Sequence, residues 1–312
     1  MNWFLCAIYG VAGLVLLYYG AEWMVKGGVS IARKCRISPL VIGLTLVAFA
    51  TSAPELVVSV FSALDGKGDV ALGNVVGSNI CNISVILGLT AIIAPIKVNR
   101  QMLKLDMPLL LGISLLLALS AYFLNGVGRI VGALFLLIGI GYTVFLIRSS
   151  RKENTEEEPE EDILKLHWAL LLTVLGIAAL VAGARLFVSS AVFIAQQLSV
   201  PDAVIGLTIV ALGTSLPELA TSAVAAFKGE QDIALGNVVG SNMLNILVIM
   251  GIAPLIRPIA APGILLSDLG MMLGTTLALA LVMKFRPAVS RIAGGAFLLA
   301  SCLYTAYLIW RI

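Results

Sequence analysis

Charged residues are scarce in this sequence. Only 12% of its 312 residues are Asp, Glu, Lys or Arg, whereas about 25% is usual for a soluble domain. Hydrophobic residues make up 60% of the chain, and the mean hydropathy is +1.06. This composition excludes an ordinary soluble domain and predicts a helical protein that crosses the lipid bilayer several times. The formal net charge of +3 is too small to indicate a nucleic-acid partner.

Histidine and cysteine are also rare. The single histidine, His167, lies at the predicted start of a span, and we interpret it as an interfacial residue. The four cysteines, at positions 6, 35, 81 and 302, have neither the spacing of a metal site nor that of a disulfide framework. We therefore predict free thiols and no resident cofactor.

Long apolar runs account for most of the chain. A transmembrane helix needs about 20 predominantly apolar residues, and ten segments meet that requirement. They are residues 3–25, 38–64, 70–94, 102–123, 127–148, 166–194, 202–227, 233–256, 263–284 and 288–310. We therefore predict an all-α polytopic membrane protein with ten transmembrane helices.

The basic residues indicate how these spans are oriented. Lys and Arg concentrate in cytoplasmic loops, and here most of them follow the odd-numbered spans. The loops of the other face contain only Lys67, Arg129, Arg257 and Arg311. We therefore predict a cell-membrane protein with both termini outside. The glutamate-rich run at 150–165 is predicted to be a solvated cytoplasmic linker, because like charges repel one another.

The two halves of the chain are copies of each other. The nonapeptide Ala-Leu-Gly-Asn-Val-Val-Gly-Ser-Asn at 71–79 recurs unchanged at 234–242, an offset of 163. Near the end of each half the offset is one residue shorter, as between 129–130 and 291–292. The predicted organisation is a five-helix repeat at 1–149, the linker at 150–165 and a second repeat at 166–312. An odd number of crossings forces the second copy to enter from the opposite face, which gives the inverted-topology repeats typical of secondary transporters.

Each repeat contains an acidic residue at the end of a short motif inside an apolar span. Glu55 and Glu218 end two copies of the sequence Thr-Ser-x-Pro-Glu, and an ionisable residue at membrane depth is by default a functional hypothesis. The proline of each motif lacks an N–H group and clashes with the carbonyl four residues earlier. We therefore predict kinks in helices 2 and 7 that free backbone carbonyls towards a buried site. Thr51 and Glu55 share one helix face because they are four residues apart, as are Thr214 and Glu218.

The third and eighth spans add further oxygen atoms. Ser78 and Asn82 are four residues apart, and Ser241 and Asn245 repeat that spacing. Carboxylate, amide, hydroxyl and carbonyl oxygens suit Ca²⁺, which takes about 6 to 8 of them, and suit soft transition metals poorly. The same oxygens can hold monovalent cations, so the pattern predicts a cation site at which two kinds of ion compete. We interpret the glycines at 73, 77, 236 and 240 as helix packing contacts.

These motifs resemble those of the cation/calcium exchanger superfamily. Its two alpha repeats have a Gly-Thr-Ser-x-Pro-Glu motif followed by Gly-Ser-Asn-x-x-Asn or Asp, and the resemblance here covers both repeats, with the prokaryotic sodium/calcium exchangers as the best match. It implies Ca²⁺ ligands from the carboxylates of Glu55 and Glu218 and the backbone carbonyls of Thr51 and Thr214. It further implies Na⁺ sites, or groups that support them, at Ala48, Ser52, Ser78, Asn82, Ala211, Ser215, Ser241 and Asn245.

Two positions depart from the family pattern. Ala50 stands where the motif usually has glycine, which Gly213 keeps in the second repeat. Asn245 stands where potassium-dependent relatives, and some prokaryotic ones, have Asp. With Asn at both 82 and 245 the core would hold only two acids, so we expect K⁺-independent exchange of Na⁺ for Ca²⁺ by alternating access. The resemblance implies about three Na⁺ per Ca²⁺ and therefore electrogenic transport. The expected partners are Ca²⁺, Na⁺ and the bilayer, and the expected functional unit is a monomer because one chain contains the whole site.

Three alternatives stay open at this point. In an H⁺/Ca²⁺ exchanger, protons would neutralise the two carboxylates in place of Na⁺, although that branch of the superfamily has a Gly-Asn-x-x-Glu motif without the proline. An intramembrane hydrolase could use the same two acids as acid and base, but the sequence has no paired nucleophile and base, so we do not expect an enzyme. A passive channel would not need the inverted repeat.

Overall fold

A computed structural model of the protein describes residues 2–153, 164–198 and 211–311. These residues form twelve helices and four two-residue strands. The helices are α1 Trp3–Lys34, α2 Pro39–Thr51, α3 Ala53–Leu64, α4 Gly68–Ile93, α5 Met102–Phe123, α6 Arg129–Glu153, α7 Leu166–Gln197, α8 Ala211–Thr214, α9 Leu216–Phe227, α10 Gln231–Ile256, α11 Leu266–Phe285 and α12 Arg291–Arg311. The strands are β1 Ile96–Lys97, β2 Gly126–Val127, β3 Ile259–Ala260 and β4 Ala288–Val289.

The described helices are those of a polytopic membrane protein. Eight are long and apolar enough to cross a bilayer, and the bent pair α2 and α3 provides a ninth span. Of the predicted span at 202–227, the structure describes α8 and α9 only. The all-α membrane class is therefore confirmed, whereas the count of ten helices stays a prediction. The predicted linker lies largely outside the described residues, since α6 ends at Glu153 and α7 begins at Leu166.

The first helix is longer than predicted. It continues past residue 25 to Lys34, so that Arg33 and Lys34 lie in its last turn rather than in a loop. The extension follows from its packing on α7, because a β-carbon at Gly27 would lie 2.8 Å from the carbonyl oxygen of Ala169. The turns beyond residue 25 thus have a helix against which to pack.

Helices α1 and α7 lie against each other along glycines. A β-carbon at Gly13 would meet the carbonyl oxygen of Gly183 at 2.9 Å, and one at Gly20 would meet that of Gly176 at 3.0 Å. As the contact moves from residue 13 to residue 20 of α1, it moves back from residue 183 to residue 176 of α7, so the two helices are antiparallel. Small residues allow backbones to approach this closely in membranes, where packing replaces the hydrophobic effect between helices.

Helices α5 and α11 are also antiparallel neighbours. Strand β1, which precedes α5, pairs with β4, which follows α11; strand β2, which follows α5, pairs with β3, which precedes α11. Both pairings are antiparallel, with Ile96 opposite Val289 and Val127 opposite Ile259. The two small sheets therefore lie at opposite ends of the α5 and α11 pair.

The glycines of the repeated nonapeptide differ between the halves. Gly236 and Gly240 of α10 lie against α2, where a β-carbon would meet the Leu40 carbonyl oxygen and the Leu44 Cα at 2.7 Å each. The packing interpretation is therefore confirmed for these two glycines. For Gly77 it stays a prediction, because no described atom lies within 4 Å of its β-carbon position. The segment equivalent to α2, 202–210, lies outside the described residues.

The Thr-Ser-x-Pro-Glu motifs break their helices. Helices α2 and α3 meet at Ser52 with a bend of 51°, and Ser52 has φ −82° and ψ 8°. Ser215 separates α8 from α9 with almost the same angles, φ −92° and ψ 8°. Each proline lies in the first turn of the following helix, where its missing N–H group has no intrahelical partner to lose. Where the sequence predicted kinks, the structure therefore has helix breaks at Ser52 and Ser215, each two residues before a proline.

Candidate cation-binding site

The two acidic residues lie where the broken helices meet. Glu55 and Glu218 occupy the first turns of α3 and α9, and each side chain is 1% exposed. The first N–H groups of a helix have no intrahelical acceptor and favour negative charge nearby. Each break therefore creates a helix N-terminus that stabilises its own carboxylate, an effect that sequence reasoning missed because it considered only the freed carbonyls.

Hydrogen bonds join the two motifs crosswise. The Ser52 hydroxyl donates to Glu218 Oε1 at 3.0 Å, and the Ser215 hydroxyl donates to Glu55 Oε1 at 3.2 Å. Both serines are buried. Because each carboxylate is bonded by the serine of the other repeat, the two halves form one shared site rather than two separate ones.

Several buried oxygens near these groups have no hydrogen-bond donor among the described residues. They are Glu55 Oε2, Glu218 Oε2, Asn82 Oδ1, Asn245 Oδ1 and Ser241 Oγ. Buried acceptors without a partner are unfavourable in a folded protein, and a bound cation satisfies oxygens of this kind. The set contains two carboxylates, two amides and a hydroxyl, which is the hard-oxygen chemistry expected from the sequence.

The two asparagines of this set lie at local widenings of their helices. A π-helical segment begins at Asn82 in α4, and another begins at Asn245 in α10. The segment at Asn82 packs against α9, and the one at Asn245 packs against α3. Each asparagine thus lies beside the helix that contains the opposite carboxylate. π-Helical turns are frequent at functional sites, and no signal in the sequence predicted these two.

Two further asparagines brace the acidic turns. Asn74 Nδ2 donates to the backbone carbonyl of Glu55 at 3.2 Å and to Ser59 Oγ at 2.9 Å. In the second repeat Asn237 Nδ2 donates to the Glu218 carbonyl at 3.3 Å and also bonds Ser222 Oγ. Sequence reasoning did not assign these residues a role, although both belong to the nonapeptide that recurs unchanged.

The remaining predicted residues lie around this centre. Thr51 is buried, and its hydroxyl donates to the Ala48 carbonyl at 3.2 Å and lies 3.1 Å from Asn237 Oδ1. Ala48 and Ser78 are buried as well. Thr214 is half-buried. Ala211 is the first residue of α8, and its side chain lies outside the described part of the structure.

A cavity reaches the site from one side. It has a volume of about 540 Å³ and lies between α3 and α7, with Pro54, Val57, Arg185 and Thr214 among its lining residues. On the repeat-equivalent side, α9 packs directly against α1. An ion pair between Glu22 of α1 and Lys228, which follows α9, bridges that contact. The two halves of the site are therefore covered unequally.

A second pair of acids lies outside this centre. Tyr142 donates to Asp106 Oδ1 at 2.7 Å, and Tyr304 donates to Asp268 Oδ1 at 2.8 Å. Arg311 also donates to both carboxylate oxygens of Asp268. Asp106 is 0% exposed, and its Oδ2 has no donor among the described residues. The two repeat-equivalent acids thus differ in how fully they are satisfied.

Comparison with known proteins supports a transporter. The fold defines a polytopic helical membrane protein, and residues 5–148 and 168–310 match the family described as sodium/calcium exchanger protein. The chain is 41% identical to the putative antiporter CaxA of Alkalimonas amylolytica, covering 94% of this chain and 95% of that protein. It is 33% identical to the sodium/calcium exchanger MaX1 of Methanosarcina acetivorans, over 80% and 82% of the two chains.

A solved structure has the same fold. The sodium-calcium exchanger NCX_Mj, soaked with Na⁺ and Sr²⁺, matches with a TM-score of 0.83 and 34% identity over 97% of this chain and 98% of that one. The protein described here therefore belongs to the sodium/calcium exchanger family, within the cation/calcium exchanger superfamily.

Proposed function

We propose that this protein is an antiporter that exchanges Na⁺ for Ca²⁺ at the site between the two broken helices. The observation that supports this most directly is the crossed pair of buried carboxylates, each with one oxygen bonded to the opposite serine and one oxygen without a donor among the described residues. The Ca²⁺ ligands are Glu55 and Glu218, with the backbone carbonyls of Thr51 and Thr214. Na⁺ is held by the surrounding serine, alanine and asparagine groups of the two broken helices and of α4 and α10.

The charge of the site explains coupling between the two ions. Two carboxylates balance one Ca²⁺, and several Na⁺ ions can replace it on the same oxygens. Moving the site across without any cation would leave both acids uncompensated in the membrane, which is unfavourable. If three Na⁺ exchange for one Ca²⁺, one net charge crosses per cycle, worth about 2.3 kcal/mol per 100 mV. Because residues 82 and 245 are both Asn, the site lacks a third acid there and exchange is independent of K⁺.

The architecture we propose is ten transmembrane helices in two inverted repeats, 1–149 and 166–312, joined by a cytoplasmic linker at 150–165. The antiparallel packing of α1 on α7 and of α5 on α11 supports this, since both pairs consist of repeat-equivalent helices. Both termini lie outside the cell membrane in this arrangement, as the basic loops favour, and one chain forms the complete transport unit.

Transport proceeds by alternating access. The cavity beside α3 and α7 leads to the site from one face, while α1 closes on α9 at the other. Sliding of the α1 and α7 pair would close the first path and open the second. The Glu22 and Lys228 ion pair stabilises the closed side in the conformation described here.

A proton-driven exchanger is the second candidate. The unpartnered Oε2 atoms of Glu55 and Glu218 could each carry a proton, and the unpartnered amide oxygens of Asn82 and Asn245 could accept hydrogen bonds from them. In that case protons would replace Na⁺ on the carboxylates.

The test is uptake of radioactive Ca²⁺ into proteoliposomes loaded with Na⁺ and diluted into Na⁺-free buffer. We expect uptake that needs the outward Na⁺ gradient and that is lost in Glu55→Gln and in Glu218→Gln. Glu230→Gln is the matched control, because Glu230 is an acid at the N-terminus of α10 and away from the site. Uptake should persist without K⁺. A membrane potential that is positive inside the proteoliposomes should change the rate of uptake.

Two results would contradict the proposal. Uptake that ignores Na⁺ and follows an imposed pH gradient would establish the proton-driven alternative. Uptake that survives both glutamine substitutions would show that ions do not pass through this site.

A further inference from the structure

Two more asparagines, Asn79 and Asn242, lie at the contact between α4 and α10. Asn79 Nδ2 donates to the backbone carbonyl of Asn242 at 3.3 Å, and Asn242 Nδ2 donates to the backbone carbonyl of Asn79 at 3.2 Å. Both side chains are buried, at 1% and 0% exposure. Neither belongs to the ligand sets considered above.

The backbone carbonyls fix which way these two amides face. A carbonyl oxygen only accepts hydrogen bonds, so the NH₂ group of each side chain must face it and the Oδ1 atom must lie on the other edge. That Oδ1 atom in turn accepts a bond from the opposite repeat. Asn82 Nδ2 donates to Asn242 Oδ1 at 2.9 Å, and Asn245 Nδ2 donates to Asn79 Oδ1 at 2.9 Å.

This chain of bonds determines what Asn82 and Asn245 present to a cation. Because their NH₂ groups are used by Asn242 and Asn79, their carbonyl oxygens face away and have no donor among the described residues. A flipped amide would present N–H groups to a cation and repel it. An ionised carboxylate at position 79 or 242 could accept from the neighbouring amide but could not donate to the backbone carbonyl.

We propose that Asn79 and Asn242 are positioning residues that turn the amide oxygens of Asn245 and Asn82 towards the transported cation, each acting on the opposite repeat. The inference deepens the proposed function, because it concerns the same cation site. It assigns a role to the Asn-x-x-Asn spacing that recurs in both repeats of this chain: the first asparagine orients, and the second binds.

The test is a set of double-mutant cycles read by Ca²⁺ binding to the purified protein, measured by calorimetry. Asn242→Ala frees the Asn82 amide, and loss of one such hydrogen bond should weaken Ca²⁺ binding about tenfold. Aspartate at position 82 has oxygens on both edges and needs no orienting partner. We therefore expect Asn82→Asp to raise the affinity for Ca²⁺ more in the Asn242→Ala background than in the wild type, by a factor of about five or more. In the wild type the new carboxylate would face Asn242 Oδ1, another acceptor.

The crossed assignment provides the control. Asn245→Asp adds the same charge, yet its effect on Ca²⁺ affinity should be no larger in the Asn242→Ala background than in the wild type. Its effect should instead be larger in the Asn79→Ala background. Equal coupling in matched and mismatched pairs, or no coupling in either, would overturn the proposal. If Asn242→Ala does not fold, Asn242→Leu preserves the buried volume and enters the same cycle. Because binding is measured without transport, failure of Na⁺-driven uptake in the wild type would reject the proposed function separately.

Discussion

Substitution of Gly240 by alanine tests the packing that positions the site. An alanine β-carbon there would lie 2.7 Å from both the Cα atom and the carbonyl oxygen of Leu44, and 2.9 Å from the Ala48 β-carbon. Ordinary contact begins at 3.4 Å, so α2 must move away from α10 by about 0.7 Å. Overpacking of this kind costs about 1–3 kcal/mol. The displacement also separates Ala48 from Ser241, two groups assigned here to Na⁺.

The repeat itself supplies the matched control. Gly77→Ala changes the same residue in an identical sequence, but its β-carbon would meet no described atom within 4 Å. Both substitutions gain the same helix propensity, about 0.5–1 kcal/mol over glycine, so the difference between them reports the contacts that the added methyl group makes at each position.

The assays are thermal unfolding of the purified protein and the Na⁺ concentration that gives half-maximal exchange. We expect Gly240→Ala to be less stable than Gly77→Ala by about 1–3 kcal/mol and to need more Na⁺. Equal stability and equal Na⁺ dependence of the two variants would refute the argument that close contact of α2 with α10 positions the site.

Two further predictions concern groups around the site. Tyr142→Phe should destabilise the protein by about 1–3 kcal/mol in thermal unfolding, because it leaves the buried Asp106 carboxylate without a described donor. Tyr304→Phe should cost less, since Arg311 still donates to Asp268. Equal losses of stability in the two variants would contradict this reasoning. Arg185→Glu and Asp65→Lys should each slow Ca²⁺ uptake, and the double variant should restore it, because these residues are the repeat equivalents of the ion pair that closes the other side. Additive effects would show that the two residues never meet during transport.

Much of the fold could be predicted because a membrane imposes strong local rules. The spans, the helical class and the breaks at the two prolines all follow from apolar length and backbone hydrogen bonding. The length of α1 could not be predicted in this way. Its last turns, beyond residue 25, include Lys26, Arg33 and Lys34 and so do not belong to an apolar run. They are helical in part because they pack against α7.

The candidate site was predictable in part. Two acids in apolar spans, each followed by Ser and Asn four residues apart, identify the oxygen groups directly from the sequence. The bracing by Asn74 and Asn237 and the orienting bonds of Asn79 and Asn242 were not predicted. Their side chains have no unusual chemistry, and only their partners in the folded protein distinguish them from other buried amides.

The sequence by itself determined that this is a membrane protein built from two related halves, with the same Thr-Ser-x-Pro-Glu motif in each. Tertiary structure alone decided that the serine of one repeat bonds the acid of the other, as Ser52 does with Glu218. It also decided that Gly240 of α10 packs against Leu44 of α2. The physical reason is that a duplicated sequence specifies the same local structure twice, whereas contacts between residues about 160 positions apart depend on how the two copies pack together.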